Sequence, residues 1–231
     1  MQSWKEFWTE YPASVDEQEF LVQVGHTING KPYSRPQFET MIASVRGSLQ
    51  LGSDDVLIDI CCGNGVVTVE LAKHCRSTLG VDFSVPLITV ARKFNAGDKI
   101  SYRVMNALEL DALPTLAEGP FSRVLMYAAL QHFEPQDLMR LLTGFLKHTG
   151  GDRIIVLGGV LDVERKLRFL DTQEKLQMYE RYQMEGRDRL GTWWKKDFVS
   201  DVCKELGLRC EIDDHSDGRP GGHYRFDAKI S

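Results

Sequence analysis

Residues 57–65 read LIDICCGNG: apolar residues around one acid, two adjacent cysteines, then a glycine-rich turn. By themselves, Cys61 and Cys62 suit either a reactive or metal-binding pair or two small residues filling a turn. The chain holds five cysteines, an odd number, with Cys75, Cys203 and Cys210 scattered. Nothing has the spacing of a zinc site, and no disulfide framework is visible. The expectation is reduced thiols in a cytoplasmic protein, which shifts the weight of the reading from the cysteines to the turn.

That turn is the first junction of an alternation. VLIDI (56–60) reads as a short buried strand and VVTVELAKHC (66–75) as a helix. STLGVDFS (77–84), ISYRVMNA (100–107), FSRVLMYAAL (121–130) and RIIVLGGV (153–160) supply four more strands. VPLITVARKF (85–94) and QDLMRLLTGFLKHT (136–149) are the helices among them. Short apolar strands separated by amphipathic helices predict a parallel, doubly wound α/β sheet covered on both faces. Upstream, Ser34 can cap a helix with Pro36 in its first turn, and Phe38, Met41, Ile42, Val45 and Leu49 recur at helical spacing. Residues 1–33 read as short helical pieces and loops that cap a pocket. Downstream, 161–190 is a charged stretch with helical spacing and 195–208 another helix. RCEIDD (209–214) and HYRFDAKI (223–230), joined by SDGRPGG, form a β-hairpin, so the last strand runs antiparallel.

The 231 residues suffice for one large domain. A formal net charge of -5 argues against a protein that grips a nucleic-acid backbone, which usually carries a basic surplus. No apolar run is long enough to span a membrane, and no basic-then-apolar leader is seen, so no membrane role is expected.

The strand ends carry the chemistry. Gly63 and Gly65 let the backbone turn close to a ligand, and the helix beyond favours a polar or anionic group. Asp59 ends the first strand of the alternation, where a carboxylate can accept from an amine. Asp82 ends the second, in GVDFS, placed for both hydroxyls of a ribose. Phe83 offers a flat apolar surface to a purine, and Asn106-Ala107 at the third strand end can read an adenine edge. The turn lacks G-x-G-x-x-G, reading C-C-G-N-G-V, which argues against a nicotinamide cofactor.

In these segments the sequence resembles the class I S-adenosylmethionine (SAM)-dependent methyltransferases. VLIDICCGNG is similar to the family's first motif, GVDFSVPLITVARK to its ribose-binding second, and RVMNALEL to its adenine-side motif. FSRVLMYAALQHFEP resembles the segment facing the methyl donor, and GGDRIIVLGG the fifth strand. The resemblance covers about residues 34–160. It implies a Rossmann-like seven-stranded sheet with an antiparallel last strand, an N-terminal cap segment (1–33), and a SAM-dependent methyltransferase domain (34–231) with an insertion at about 161–193. It implies SAM as cofactor and S-adenosylhomocysteine (SAH) as product, held by Tyr33, Asp59, Cys61, Gly63, Asn64, Gly65, Asp82, Phe83, Asn106 and Ala107, with Tyr127 and Ala128 beneath the donor. The family usually has Gly where Cys61 stands, which makes the cysteines turn residues packed beside the cofactor.

The acceptor side is read from titratable groups in the cap, the loop after the fourth strand, the insertion and the hairpin tip. His132, His26 and His223 are candidate bases or orienting groups; the alternative for His132 is structural packing under the next helix. His215, Arg219 and Trp193 are candidate substrate contacts, with Arg219 suited to a carboxylate or phosphate. No metal is expected, since Asp152 and Asp162 have no obvious partner acids. The reading is methyl transfer to a small-molecule acceptor, at a hydroxyl oxygen of a sugar or specialised metabolite, by a monomer or homodimer. The alternatives are an RNA or protein methyltransferase, or a non-catalytic SAM-binding partner subunit.

Overall fold

The computed structural model describes residues 4–113, 120–186, 190–216 and 218–231. In chain order the elements are α1 (Trp4–Glu10), α2 (Phe20–Gln23), β1 (Thr27–Ile28), β2 (Lys31–Pro32), α3 (Arg35–Leu49), β3 (Val56–Ile60), α4 (Val66–Ala72), β4 (Ser77–Asp82) and α5 (Val85–Phe94). There follow β5 (Ile100–Val104), β6 (Phe121–Tyr127), α6 (Asp137–Lys147), β7 (Thr149–Leu161), α7 (Lys166–Phe169), α8 (Gln173–Met184), α9 (Lys196–Glu205), β8 (Cys210–Asp214) and β9 (Arg225–Ile230). Seven strands form one sheet in the order β5-β4-β3-β6-β7-β9-β8. β3 pairs in parallel with β4 and β6, and β9 runs antiparallel to both β7 and β8. This is the Rossmann-like arrangement expected. The order reverses between β4 and β6 around β3, which opens a crevice at the carboxyl ends of those strands.

Local sequence explains the elements that frame the crevice. All five residues of β3 are buried, as a central parallel strand requires. A capping box starts α3: Ser34 Oγ accepts from the Gln37 N–H while Gln37 Oε1 accepts from the Ser34 N–H at 2.8 Å. On α6, Leu138, Leu141, Leu142 and Phe145 are buried at helical spacing and pack with β6, β7 and Trp194 into the larger core. The opposite face is covered by α3 and α4 through Met41, Val45, Leu49, Val67 and Leu71. Among the described residues no helix is long and apolar enough to cross a membrane.

Two features go beyond the sequence reading. The turn at Asn29-Gly30 closes a small antiparallel pair, β1 and β2. The antiparallel register between β7 and β9 breaks between Leu157 and Val160, where Gly159 adopts φ +64°. Its N–H is received by Asp227 of β9 at 2.7 Å, so the irregularity is filled by a buried carboxylate rather than by a ladder bond.

Candidate active site

A cavity of about 500 Å³ lies over the carboxyl ends of β3, β4, β5 and β6. Its floor is largely backbone and acids. Cys61 stands at φ +58°, a left-handed conformation that side chains rarely adopt; this is the position the family usually gives to glycine. Gly63 follows at φ +57°, and a Cβ there would stand 2.7 Å from Val24 Cγ1 of the cap, so a side chain is excluded by space as well as by conformation. Burial, Asp82 and Asp59 push the Cys61 thiol well above its usual pKa, and the same groups push up Cys62. Neither is a ready thiolate. Cys62 is buried against Ile88, Ala91 and Tyr102, a packing residue.

Asp59 and Asp82 are both buried at the cavity edge. Thr68 Oγ1 of α4 donates to Asp59 Oδ2 at 2.6 Å. Burial nonetheless raises the Asp59 carboxyl to about 7, with the neighbouring Asp82 adding to the rise and Thr68 opposing it. Asp82 is also raised by burial, against the pull of its two backbone donors: Gly63 N–H reaches Oδ2 at 3.0 Å and Ser84 N–H reaches Oδ1 at 2.8 Å. Each carboxylate oxygen of Asp82 keeps a further lone pair. Asn106 uses its carbonyl to receive the Leu108 N–H at 3.0 Å, which leaves its NH₂ as a donor. Phe83 and Ala107 line the same stretch.

The cap closes the cavity. Trp4, Trp8, Val24 and His26 line it, held down by the glycine turn itself. Asn64 Nδ2 donates to Phe20 O and to Gln23 Oε1, each at 2.9 Å, and Ser84 Oγ donates to Trp8 O at 2.7 Å. Asn64, expected among the cofactor contacts, therefore turns its side chain to the cap. Gly65 starts α4 and packs against Tyr102, and neither residue is among the cavity's lining.

The three candidate histidines separate. His26 is buried and stacks on Tyr33 at 5.5 Å and near Tyr127 at 6.1 Å. His132 lies between Trp4 (4.3 Å) and Trp8 (5.5 Å) with a buried Nδ1 that has no partner. Burial, helped by Arg225, lowers His26 to about 4 and His132 to about 3, so both are neutral imidazoles at physiological pH. His223 is exposed beside Tyr224 and does not line the cavity. Tyr127 and Ala128 do line it, with Ala128 at φ +51°. Tyr33 stands one layer behind, on His26.

His215 and Arg219 meet at a carboxylate absent from the sequence expectations. Asp227 Oδ1 contacts His215 Nε2 at 2.5 Å and Oδ2 accepts from Arg219 Nη1 at 3.0 Å. Burial alone would raise Asp227; His215, Arg219 and the Gly159 N–H outweigh it and hold the acid below its usual value. Trp193 packs at a tilt against Phe169 and Tyr224, outside the cavity lining, while Trp194 is core and donates to Leu130 O at 3.2 Å. Trp4, Trp8 and Arg225 were missed. The amphipathic, aromatic run MQSWKEFWTEYP was the one signal for the tryptophans, and Arg225 sits unmarked in a strand of mixed polarity.

A family model described as a methyltransferase domain matches residues 57–150, the stretch that builds the cavity floor. That stretch matches a methyltransferase domain, in keeping with the resemblance to the class I SAM-dependent methyltransferases. Among curated relatives, a carboxy-S-adenosyl-L-methionine synthase of Pseudomonas paraeruginosa is 31% identical over 149 residues, covering 61% of this chain and 57% of that protein. An uncharacterized methyltransferase of Schizosaccharomyces pombe is 37% identical over 82 residues, covering 36% of this chain and 30% of its own. The chain thus spans about half the length, or less, of these relatives. Two solved structures share the fold: magnesium protoporphyrin IX methyltransferase of Synechocystis with bound SAH (TM-score 0.64, 13% identity, 98% of this chain and 96% of that one) and a cyclopropane synthase of Mycobacterium tuberculosis (TM-score 0.67, 14% identity, 92% and 78%). In this fold the segment after α8 returns to the loop following β6 at Thr192, whose N–H donates to Gln131 O at 2.8 Å.

Proposed function

We propose that this methyltransferase moves a methyl group from SAM to a small-molecule acceptor, at a hydroxyl oxygen. The observation that carries the donor assignment is the pair of buried carboxylates at the ends of β3 and β4. The raised pKa of Asp59 marks a carboxylate whose surroundings supply no cation, and the donor's ammonium fits that need. Asp82 would receive the ribose hydroxyls, Asn106 the adenine edge, and Phe83 the purine face. SAM, when bound, supplies an electrophilic methyl on a sulfonium. The chain's own part is alignment and exclusion of water. Tyr127 and Ala128 form the surface beneath the donor, and Trp4 and Trp8 close the cavity over it. His132 is neutral, so its free Nδ1 can accept the hydrogen bond of an acceptor hydroxyl. Its low pKa suits orientation better than complete proton removal, for which a value near the working pH is best. A cavity of this volume, partly covered by Trp4 and Trp8, favours a small acceptor over a nucleic acid or peptide laid in a groove.

Calorimetric titration with SAH, with NADH beside it, tests the donor. Micromolar binding of SAH alone is expected, and binding of NADH alone would overturn the assignment. Transfer of labelled methyl to a panel of hydroxylated metabolites then tests the acceptor; labelling only of amines would move the reaction to nitrogen. The similarity to carboxy-SAM synthases favours one second reading, chemistry on the donor itself. It predicts a change in the mass of SAM with no methylated acceptor.

A further inference from the structure

Behind the wall of the cavity formed by His26 and Tyr127 lies a buried group of charges that the donor site does not use. Gly158 marks the boundary: a Cβ there would meet Tyr127 Cδ2 at 2.6 Å and Asp227 Oδ1 at 3.3 Å, so the ring that lines the cavity and the buried acid abut the same backbone. Arg219 is 8% exposed and Arg225 is half-buried. Arg225 donates to Gly159 O and lies 5.2 Å from the centre of the Tyr224 ring, and among the described residues it forms no ion pair. Arg219 reaches Asp227 through Nη1 only. Its Nε and Nη2 are buried without a partner.

Asp227 is already occupied by His215, Arg219 and the Gly159 N–H, which leaves Arg225 beside them with no carboxylate partner among the described residues. An uncompensated buried cation is costly to keep. Moreover, Nε and Nη2 are the side-on edge of the guanidinium, the fork that receives a carboxylate or phosphate through two parallel hydrogen bonds. Asp227 holds the opposite side of that group and so fixes the direction in which the open edge points. Resting on the methyl-transfer reading above, we propose that the acceptor carries an oxyanion, a carboxylate or a phosphate, that docks on the Nε–Nη2 edge of Arg219 with Arg225 beside it. This anchors the acceptor at the ends of β6 and β7, next to Tyr127 and Ala128, where its reacting hydroxyl can address the donor. Because the edge is sealed from solvent, docking requires the glycine-rich loop around Gly218–Gly222 to lift and reclose.

The test uses the full chain saturated with SAH, titrated calorimetrically with inorganic phosphate and, separately, with acetate at constant ionic strength. Saturable millimolar binding of at least one is expected, and the stronger of the two names the anion. Arg219→Lys keeps the charge but loses the fork, and should weaken that binding about tenfold or more with SAH affinity unchanged. Arg225→Met should weaken it as well and serves where the first variant does not fold. No saturable binding of either anion to the wild type, or equal binding by the folded variants, overturns the proposal. So does a variant that loses SAH affinity while keeping affinity for 5′-methylthioadenosine, since the anion would then be the donor's own methionine carboxylate. A wild type that binds phosphate or acetate but not SAH would instead break the donor assignment and leave the arginine edge standing.

Discussion

The two walls of the cavity are built differently. The floor, Asp59, Cys61–Gly63, Asp82–Phe83 and Asn106–Ala107, comes from consecutive strand ends, and much of it is backbone held by bonds such as Gly63 N–H to Asp82. The opposite wall assembles Trp4, Trp8, His26, His132 and, behind them, Arg219, Arg225 and Asp227, side chains from segments that meet only in the folded chain. A backbone-built wall suits a constant ligand, because few side-chain types can make it. A wall of converging side chains can be changed one residue at a time, which suits a ligand that differs from one methyltransferase to the next.

The sharpest way to break this contrast is at Asp82. Asp82→Ala strands two buried N–H groups, those of Gly63 and Ser84, and removes the carboxylate proposed for the ribose. We expect a loss of about 3 kcal/mol in stability and about 1–3 kcal/mol in SAH affinity, read by urea denaturation and calorimetry. Unchanged SAH affinity would show that the floor is not the donor wall. Asn64→Ala comes next. It cuts the two bonds that tie the turn to Phe20 and Gln23, at a cost of about 2 kcal/mol, and amide exchange across residues 4–26 should quicken while β3 and β4 stay protected. Uniform quickening would mean the cap and the floor are one cooperative unit.

A smaller effect tests the charge logic of the floor. The carboxyl of Asp59 in the free protein sits at about 7, and a bound ammonium would lower it. Protonation therefore opposes binding: affinity for SAH should be full above pH 8 and about tenfold weaker at pH 6. Binding at pH 6 should release close to one proton, measured as a dependence of the heat on buffer ionisation, and binding at pH 9 none. Asp59→Asn should abolish the release. Release that persists in the variant would assign it to another group.

The legibility of the molecule follows the same division. The limits read for VLIDI (56–60) and for the helix 85–94 coincide with β3 and α5, since an apolar strand, an acid and a glycine turn must follow one another there. The extra strands at 27–28 and 31–32 were hidden because two-residue strands have no periodicity to display. Arg219 was picked out for its chemistry, yet its partner Asp227 was not. Their meeting depends on β9 lying between β7 and β8 and on the irregularity at Gly159, facts of register that no local pattern encodes. Asn64 shows the reverse hazard: its place in the turn suggested a ligand contact, but two residues of a segment some forty positions earlier take up its amide.

The smallest expected effect concerns Cys61, the residue on which the turn's reading hinged. At φ +58° a side chain is strained by roughly 1 kcal/mol, which glycine would relieve. Cys61 also packs against the main core, and its sulfur is lost in the exchange. Cys61→Gly should therefore leave stability within about 1 kcal/mol and keep SAH affinity. The nearby acids and burial disfavour the thiolate, so alkylation at neutral pH should be slow in the wild type. Loss of methyl transfer in Cys61→Gly with SAH binding intact would give the sulfur a chemical role that the floor's geometry does not require. Retained transfer would mean that cysteine occupies a glycine's position, tolerated because the backbone around it, not its side chain, shapes the donor wall.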